Sequence, residues 1–476
     1  MYGNALLKGT MIPGSTYSHF LQRLKSFERI EPAVLPRGPE KLVSMRLLME
    51  ALGHPERDFQ VIHGAGTNGK GLTSAMIAAL LRLEGYAVGL YTSPHVLDIR
   101  ERIVVNGEWV APQVFAQAGG RVLDLAEPIR AQHTVSYFDL LTATALEVFR
   151  MEGARWVVLE TGLGGRADAT NAVDKACAVL TRIGLDHQSV LGNTLREIAW
   201  EKLGIARPGI PTVLAGQPPE LLEWLTESLR NLGSPVVRAE AYRLAVEAGT
   251  AIPGVRVEWA DGNAFTIELP AQTPPLTPPR LTCAANALAA AETVLGAATL
   301  SRREAWVRTV LAVQLPARLE LRRGVGLRGS SGPRLAQVVL DGGHNGDALE
   351  ALADQLARWE ISRYTLLLSL QADKLVAAVR SPLARLVAGA ERILFLPPNT
   401  PRAPSPESFR QFLAELMPKA GQQPQPEMMN TPEEALRAAL ETPARPFVAC
   451  GSFWMLGDLM PLLESGVEEQ PDEVKG

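Results

Sequence analysis

The stretch Val61 to Thr73, VIHGAGTNGKGLT, constrains this chain more than any other. An apolar run ending at His63 reads as a buried strand, Gly64, Gly66, Gly69 and Gly71 let the backbone turn tightly, and an apolar-periodic segment follows as a helix. Backbone N–H groups in such a loop face inward, the helix N-terminus adds partial positive charge, and Lys70 can reach the outer phosphates of a nucleotide. Gly64-x4-Gly69-Lys70 fits the Walker loop, except that Gly71 follows the lysine where Ser or Thr is usual. The hydroxyl that holds Mg²⁺ in such loops has to come from elsewhere. The competing reading, a plain glycine-rich turn, has no use for Lys70.

At 476 residues the chain exceeds what one core usually supports, so two domains are expected, 1–314 and 315–476, with the boundary near Gln314 to Pro316. Lys plus Arg number 47 against 51 Asp plus Glu, a net charge of -4 with no basic tract, which argues against nucleic acid as a partner. Cys177, Cys283 and Cys450 are far apart and odd in number, with neither zinc spacing nor a disulfide framework, as in a reducing compartment. With no signal-like N-terminus and no apolar run of membrane length, a cytoplasmic protein with no membrane partner is expected, and a monomer.

Strand and helix signals alternate. A helix from Lys41 to Leu52 closes at Gly53; the helix after the phosphate loop ends at Gly85; Ala87 to Tyr91 is a strand delivering Thr92-Ser93-Pro94-His95. Ser136 with Asp139 resembles a capping box, Trp156 to Leu159 is an apolar strand ending on Glu160, and Ala176 to Thr181 leads into Gly184-Leu185-Asp186-His187. Thr194 with Glu197 caps a helix carrying Lys202. This predicts an α/β fold: an N-terminal P-loop ATPase domain built on a parallel sheet, with ligands at the carboxyl ends of the strands. Arg256 to Leu269 reads as a β-hairpin around Asp261-Gly262, Pro270 to Pro279 as a loop, and Cys283 to Ala298 as an Ala-rich helix. The alternation then restarts in a smaller Rossmann-like α/β domain, with strands at Val338 to Leu340, Tyr364 to Leu370, Ile393 to Leu396 and Phe447 to Cys450. Pro13, Gly14, Pro32, Pro36 and Pro39 mark an irregular start, and the acidic tail after Gly466 reads as disordered.

Mg²⁺ prefers oxygen ligands and keeps several waters, so Ser93 and Glu160, at or beyond strand ends, suit it, and His187 is a less usual partner. Each also has a plain reading: Ser93 as a turn cap, Glu160 paired with an arginine such as Arg166, His187 bonded to a loop carbonyl, Lys202 as a solvated charge. The loop Gly162 to Asn171 lets backbone approach a ligand closely.

The ordered motifs GTNGKG (Gly66 to Gly71), TSPH (Thr92 to His95), ERI (Glu101 to Ile103), LETGLGGRADATN (Leu159 to Asn171), IGLDH (Ile183 to His187) and EKLGI (Glu201 to Ile205) resemble the folylpolyglutamate synthase/dihydrofolate synthase family, one of the Mur-type amide ligases. PARLE (Pro316 to Glu320), DGGHN (Asp341 to Asn345) and GSFWMLGD (Gly451 to Asp458) extend the match across roughly residues 40 to 460. The resemblance implies that Thr67, Asn68, Gly69, Lys70 and Gly71 hold ATP phosphates. Ser93, Glu160 and His187 would hold magnesium at two sites, alongside a possible monovalent cation. Lys202 matches a carbamylated lysine; Asn286, Arg318 and Asp341 match nucleotide contacts; and His344, with Lys70 and Lys202, matches the catalytic set. Ser136, Tyr137, Phe138 and Asp139, with Ala167, Asp168 and Ala169, match loops that bind the pterin end of a folate.

The implied activity is ATP-dependent ligation of L-glutamate to a folate, to dihydropteroate, or to both, through an acyl phosphate. Another Mur-type amide ligase, acting on cell-wall or poly-amino-acid substrates, and a P-loop ATP switch without ligase activity are the alternatives. The chain departs from the family at Leu72, where Ser is common, at Thr282-Cys283 in place of His-Gln, at Leu375 after Asp373-Lys374, and at Ile99-Arg100 in place of Phe-Asn.

Overall fold

The computed structural model describes residues 16–27, 41–247, 254–270, 273–400, 403–416 and 426–465. The early prolines and the acidic tail lie outside these residues. An eight-stranded sheet runs in the order Glu108–Trp109, Ile103–Val105, Val88–Tyr91, Trp156–Glu160, Gln60–Ala65, Cys177–Leu180, Thr212–Leu214, Val236–Arg238. Its inner strands are parallel, and the antiparallel pair Ile103–Val105 and Glu108–Trp109 closes one edge. Buried on both faces, those inner strands are mostly apolar rather than alternating, with His63, Glu160 and Thr212 as buried polar exceptions.

One face of this sheet packs on Lys70–Leu83 and Pro278–Leu295, both rich in small side chains; Ala75, Ala78, Ala284, Ala287 and Ala291 are buried between them. Small residues let the two helices approach closely, so a bulky change such as Ala287→Leu would overpack the contact at about 1–3 kcal/mol. The other face packs on Val43–Leu52, Pro112–Arg130 and Tyr137–Met151, with Phe115 and Phe149 fully buried. The expected boundaries shift where proline was read as a breaker. The Ala-rich helix begins at Pro278, because Thr277 caps it and prolines are tolerated in a first turn, and it ends at Leu295. The hairpin forms as expected, but joins Arg243–Val246 as a three-stranded antiparallel sheet.

A seven-stranded sheet, Glu427–Met428, Ala390–Phe395, Tyr364–Leu368, Phe447–Cys450, Leu335–Asp341, Glu320–Leu327, Leu463–Ser465, is built from residues 320–465. Glu320–Leu327, the antiparallel edge strand Leu463–Ser465 beside it, and the short strand Glu427–Met428 at the opposite edge are additions to the expected elements. The segments after Tyr91 and after Asp341 meet the other half of the molecule: the Val96 carbonyl lies 2.2 Å from where a Cβ on Gly457 would stand, so only glycine fits at that crossing.

Candidate active site

The strand Gln60–Ala65 ends in the phosphate loop, and Lys70 is the first residue of the helix Lys70–Leu83. The Thr67 and Asn68 N–H groups both donate to the Arg182 carbonyl, at 2.8 and 3.2 Å, and the Thr67 hydroxyl donates to Gly184 O at 3.1 Å. These bonds shape the loop. The donors left for an anion are those of the first helical turn, Lys70, Gly71 and Leu72, which no helix can satisfy internally; Gly69, the N-cap, supplies no side-chain cap.

Glu160 and Ser93 stand side by side because their strands pair in register, Tyr91 opposite Leu159. The Ser93 N–H donates to Glu160 Oε2 at 2.9 Å, and Lys70 Nζ is 4.0 Å from Glu160 Oε1. Glu160 is buried, which raises its pKa against the opposing field of Lys70. A Cβ on Gly71 would lie 3.3 Å from Glu160 Oε2. A side chain at this position would therefore press on the Glu160 carboxylate, which would have to give by a few tenths of an ångström.

Lys202, on the helix Leu195–Leu203 with its expected Thr194–Glu197 capping box, is buried and donates to the Gly66 carbonyl at 2.7 Å. Burial first, and then repulsion from Lys70, lower its pKa to about 7. His187, in the left-handed region at φ 50°, has its pKa lowered by burial and by Lys374, His344 and Lys70, against the pull of Asp186. Lys70 thus acts electrostatically on Glu160, His187 and Lys202 alike, while the contacts made directly at the loop are those of Lys70 with Glu160 and of Lys202 with the Gly66 carbonyl. Among the described residues no group of three or more His, Cys, Asp or Glu is arranged to hold a metal by itself. A sparse pair of oxygen ligands, Glu160 and Ser93, fits an ion that keeps its waters and takes the rest of its shell from phosphate.

Asp186 was not singled out in the sequence, yet it is the hub between the two halves. It pairs with Lys374, accepts from Asn345 Nδ2 at 3.2 Å and from the His187 N–H at 2.8 Å, and lies 4.0 Å from His344 Nε2. Burial pushes its carboxyl up, but His187, Lys374 and His344 outweigh this and hold it well below the usual carboxylate range. Asn68 spans the same gap: Asn345 Nδ2 donates to its Oδ1 at 3.0 Å, and its Nδ2 donates to Asp347 Oδ2 at 3.3 Å. His344 is held by Nδ1–H to the Gly342 carbonyl at 3.0 Å.

Asp341 ends its strand and accepts from the Leu319 and Gly343 N–H groups, each at 2.8 Å; burial raises its pKa. Arg318 is exposed, its guanidinium 4.2 Å from the Phe453 ring centroid. Asn286 is buried with neither amide atom hydrogen-bonded, an arrangement that costs free energy unless a ligand supplies partners. One turn earlier on its helix, Cys283 Sγ lies 3.6 Å from Gly69 O, so the replacement for the usual Gln supports the phosphate loop.

The two loops matched to pterin binding also meet. Ser136 and Asp139 form the expected capping box, and Ser44 adds a bond to Asp139. Phe138 lies over Gly162 and 5.9 Å from the Tyr91 ring, with Tyr137 beside it in sequence. Ala167, Asp168 and Ala169 lie in a loop fastened to the end of the Lys202 helix: Arg166 N–H donates to Glu201 O at 2.8 Å and Asn171 Nδ2 to Gly204 O at 3.0 Å. Arg166 stacks on Trp200 rather than pairing with Glu160.

No family model matches the chain. It is 30% identical over 435 residues to the folylpolyglutamate synthase of Lacticaseibacillus casei, covering 88% of this chain and 93% of that protein. A dihydrofolate synthase/folylpolyglutamate synthase of Bacillus subtilis is 42% identical over 198 residues, 40% of this chain and 45% of that protein, so this match spans under half the relative's length. Among solved structures, Mycobacterium tuberculosis folylpolyglutamate synthase complexed with ADP superposes with a TM-score of 0.77 at 26% identity, covering 94% of this chain and 98% of that one. E. coli FolC in complex with DHPP and ADP superposes at 0.74, with 25% identity, 94% of this chain and 97% of that one. Likeness of this extent, over a shared α/β architecture and nearly the whole of the Lacticaseibacillus protein, means that the chain belongs to the folylpolyglutamate synthase/dihydrofolate synthase family.

Proposed function

We propose that the protein joins L-glutamate to the carboxylate of a folate-type acceptor with ATP as the energy source, across the junction of two domains, 1–314 and 315–476. The observation that carries this reading is the phosphate loop held between Lys70 beside Glu160 at 4.0 Å and Lys202 bonded to the Gly66 carbonyl at 2.7 Å, next to the bonds that Asn68 and Asp186 make to the other half. The acceptor carboxylate attacks the terminal phosphorus of ATP and ADP leaves, giving an acyl phosphate. The glutamate amine then attacks the acyl carbon, phosphate departs, and the amine loses a proton. Lys70 and the first-turn N–H groups neutralise charge on the transferring group. Arg318, Asp341 and Asn286 hold the nucleotide, and Asn286 gains there the partners it lacks. Closure of the domains aligns the reactants and excludes water from the acyl phosphate.

Ser93 and Glu160, with His187 nearby, would hold magnesium, which supplies further charge neutralisation on the phosphates. Lys202 is suited to carbamylation. Burial brings its pKa to about 7, so the neutral amine is available near that pH; its nitrogen attacks CO₂ and gives up one of its own N–H protons to solvent, leaving a carbamate anion beside Lys70 where the ammonium stood. His344, with Nδ1 committed to Gly342, keeps Nε2 as an acceptor for the amine's proton. The loops Ser136 to Asp139 and Ala167 to Ala169 take the pterin end.

Purified protein given ATP, glutamate and either dihydropteroate or a reduced folate tests the reading. ADP, phosphate and an amide product are expected only with acceptor and glutamate both present, and the two acceptors distinguish the two ligations. Acceptor-independent hydrolysis with no amide product would refute it.

A further inference from the structure

A buried polar chain that the chemistry above does not use runs beneath the loop 162–171. At one end Asp168 Oδ2 accepts from the Leu163 N–H at 2.9 Å, and Oδ1 accepts from the Thr170 N–H at 3.1 Å and the Thr170 hydroxyl at 2.5 Å. The Thr170 oxygen is 2.8 Å from His63 Nε2, and His63 Nδ1 is 3.1 Å from Lys175 Nζ. Lys175 also donates to Asn171 Oδ1 at 2.8 Å, which Arg207 Nη2 joins at 2.9 Å. His63 and Thr170 are fully buried, and Asp168, Asn171 and Lys175 nearly so.

The direction of every proton in this chain follows from what each group can do. Burial pushes the Asp168 carboxyl up, but it receives two backbone N–H groups and the Thr170 hydroxyl, contacts that favour the ionised, accepting form, so the single hydroxyl proton of Thr170 goes to Asp168. The Thr170 oxygen then accepts from His63 Nε2–H, which leaves Nδ1 bare, and Lys175 fills it as donor. Burial, with Lys175 and Arg207 beyond it, pushes the His63 pKa well below the usual range, so the ring is neutral and one tautomer fits. Burial and Arg207 push the Lys175 amine well below the usual lysine range, so it could accept from Nδ1–H in the other tautomer, but that tautomer would leave Nε2 facing a hydroxyl oxygen whose proton is already committed. Two buried polar groups would lose good partners. With Oδ1 of Asp168 filled by two donors and Oδ2 by one, a single acceptor position on Oδ2 is left for a ligand N–H.

We propose that Lys175, His63 and Thr170 are positioning residues that hold the Asp168 carboxylate in one orientation and thereby set affinity for the nitrogen-rich ring of the acceptor. This rests on the reading of Asp168 as an acceptor-binding residue. The test uses the full chain carrying Asp168→Asn, Thr170→Val, Thr170→Ser or Lys175→Met, with KM measured separately for ATP and for dihydropteroate or tetrahydrofolate. Losing the hydroxyl in Thr170→Val or the donor in Lys175→Met raises the acceptor KM about tenfold and leaves the ATP KM unchanged, while Thr170→Ser keeps the parent value. Nitrogen-15 spectra of the parent labelled at histidine show His63 protonated on Nε2, and in Lys175→Met the ring becomes a mixture of tautomers.

An acceptor KM unchanged in Thr170→Val and Lys175→Met, while Asp168→Asn raises it, would overturn the positioning role alone. So would equal rises in both KM values, the mark of a general structural defect. An acceptor KM indifferent to Asp168→Asn would instead remove the acceptor-site reading and the role built on it. Protonation of His63 on Nδ1 in the parent would overturn the proton order independently of any kinetics.

Discussion

Replacing Lys202 by methionine should stabilise the protein while abolishing its activity. Lowering a lysine from 10.5 to about 7 in the folded state corresponds to about 5 kcal/mol by which folding disfavours the protonated form. The folded state binds this proton less tightly than the unfolded state. The penalty is therefore fully present below about pH 7 and is relieved as the pH climbs toward 10.5, where the unfolded lysine also loses its proton. Between pH 7 and pH 9 about 2 kcal/mol of it disappears. Methionine has a similar length and no charge, so the variant lacks this slope. Urea unfolding of both proteins in degassed buffer should show the variant more stable at pH 7, with the gap narrowing by about 2 kcal/mol at pH 9. Groups common to both proteins cancel in the difference. Bicarbonate near pH 8, by trapping the free amine as a carbamate, should stabilise the parent and leave Lys202→Met unmoved. A stability difference that does not change with pH would refute the argument that burial beside Lys70 sets the state of this amine.

Three further outcomes follow from the same geometry. Lys374→Met leaves the carboxylate of Asp186 without its cation and should cost about 3 kcal/mol; an unchanged urea midpoint, or an unchanged radius of gyration in scattering, would show that the pair does not join the two halves. Gly71→Ser should fail to restore a metal ligand and instead crowd Glu160, raising the KM for ATP about tenfold, about 1.4 kcal/mol; full activity would mean that the carboxylate has room to yield. Asn286→Leu removes two buried, unpartnered amide atoms, so it should raise the melting temperature by a few degrees, from about 1 kcal/mol, and weaken ADP binding in calorimetry; undiminished ADP affinity would detach Asn286 from the nucleotide.

How far the molecule could be read in advance depended on whether the physical signal was local. The phosphate loop, the capping boxes at Ser136–Asp139 and Thr194–Glu197, the strand ending on Glu160 and the strand at Val338 to Leu340 are each written in a few consecutive residues, and the structure forms them, the last extended to Leu335–Asp341. The helices Pro219–Leu232, Leu300–Ala312 and Ala377–Ala388 are not among the expected elements. Arg243–Val246 was missed because a short strand with two exposed ends carries little apolar alternation. Pairs made only by folding were out of reach. Lys374 meets Asp186 across 188 positions, and Lys175 meets His63 across 112. A buried lysine looks like a surface lysine until its surroundings are known. The one hint was the Asp373-Lys374 remnant, which pointed to the right neighbourhood without naming the partner.

The side chain of Asn68 sits in the phosphate loop but is grasped by Asn345 and Asp347 from the opposite half. Under the proposed function, a loop that holds the nucleotide would thereby also be informed of whether the far jaw has shut. In the ligase proposed above, such an arrangement would work as a safety interlock, exposing the triphosphate to attack only in the posture that keeps the activated intermediate dry, so that ATP would not be squandered while the jaws stand apart.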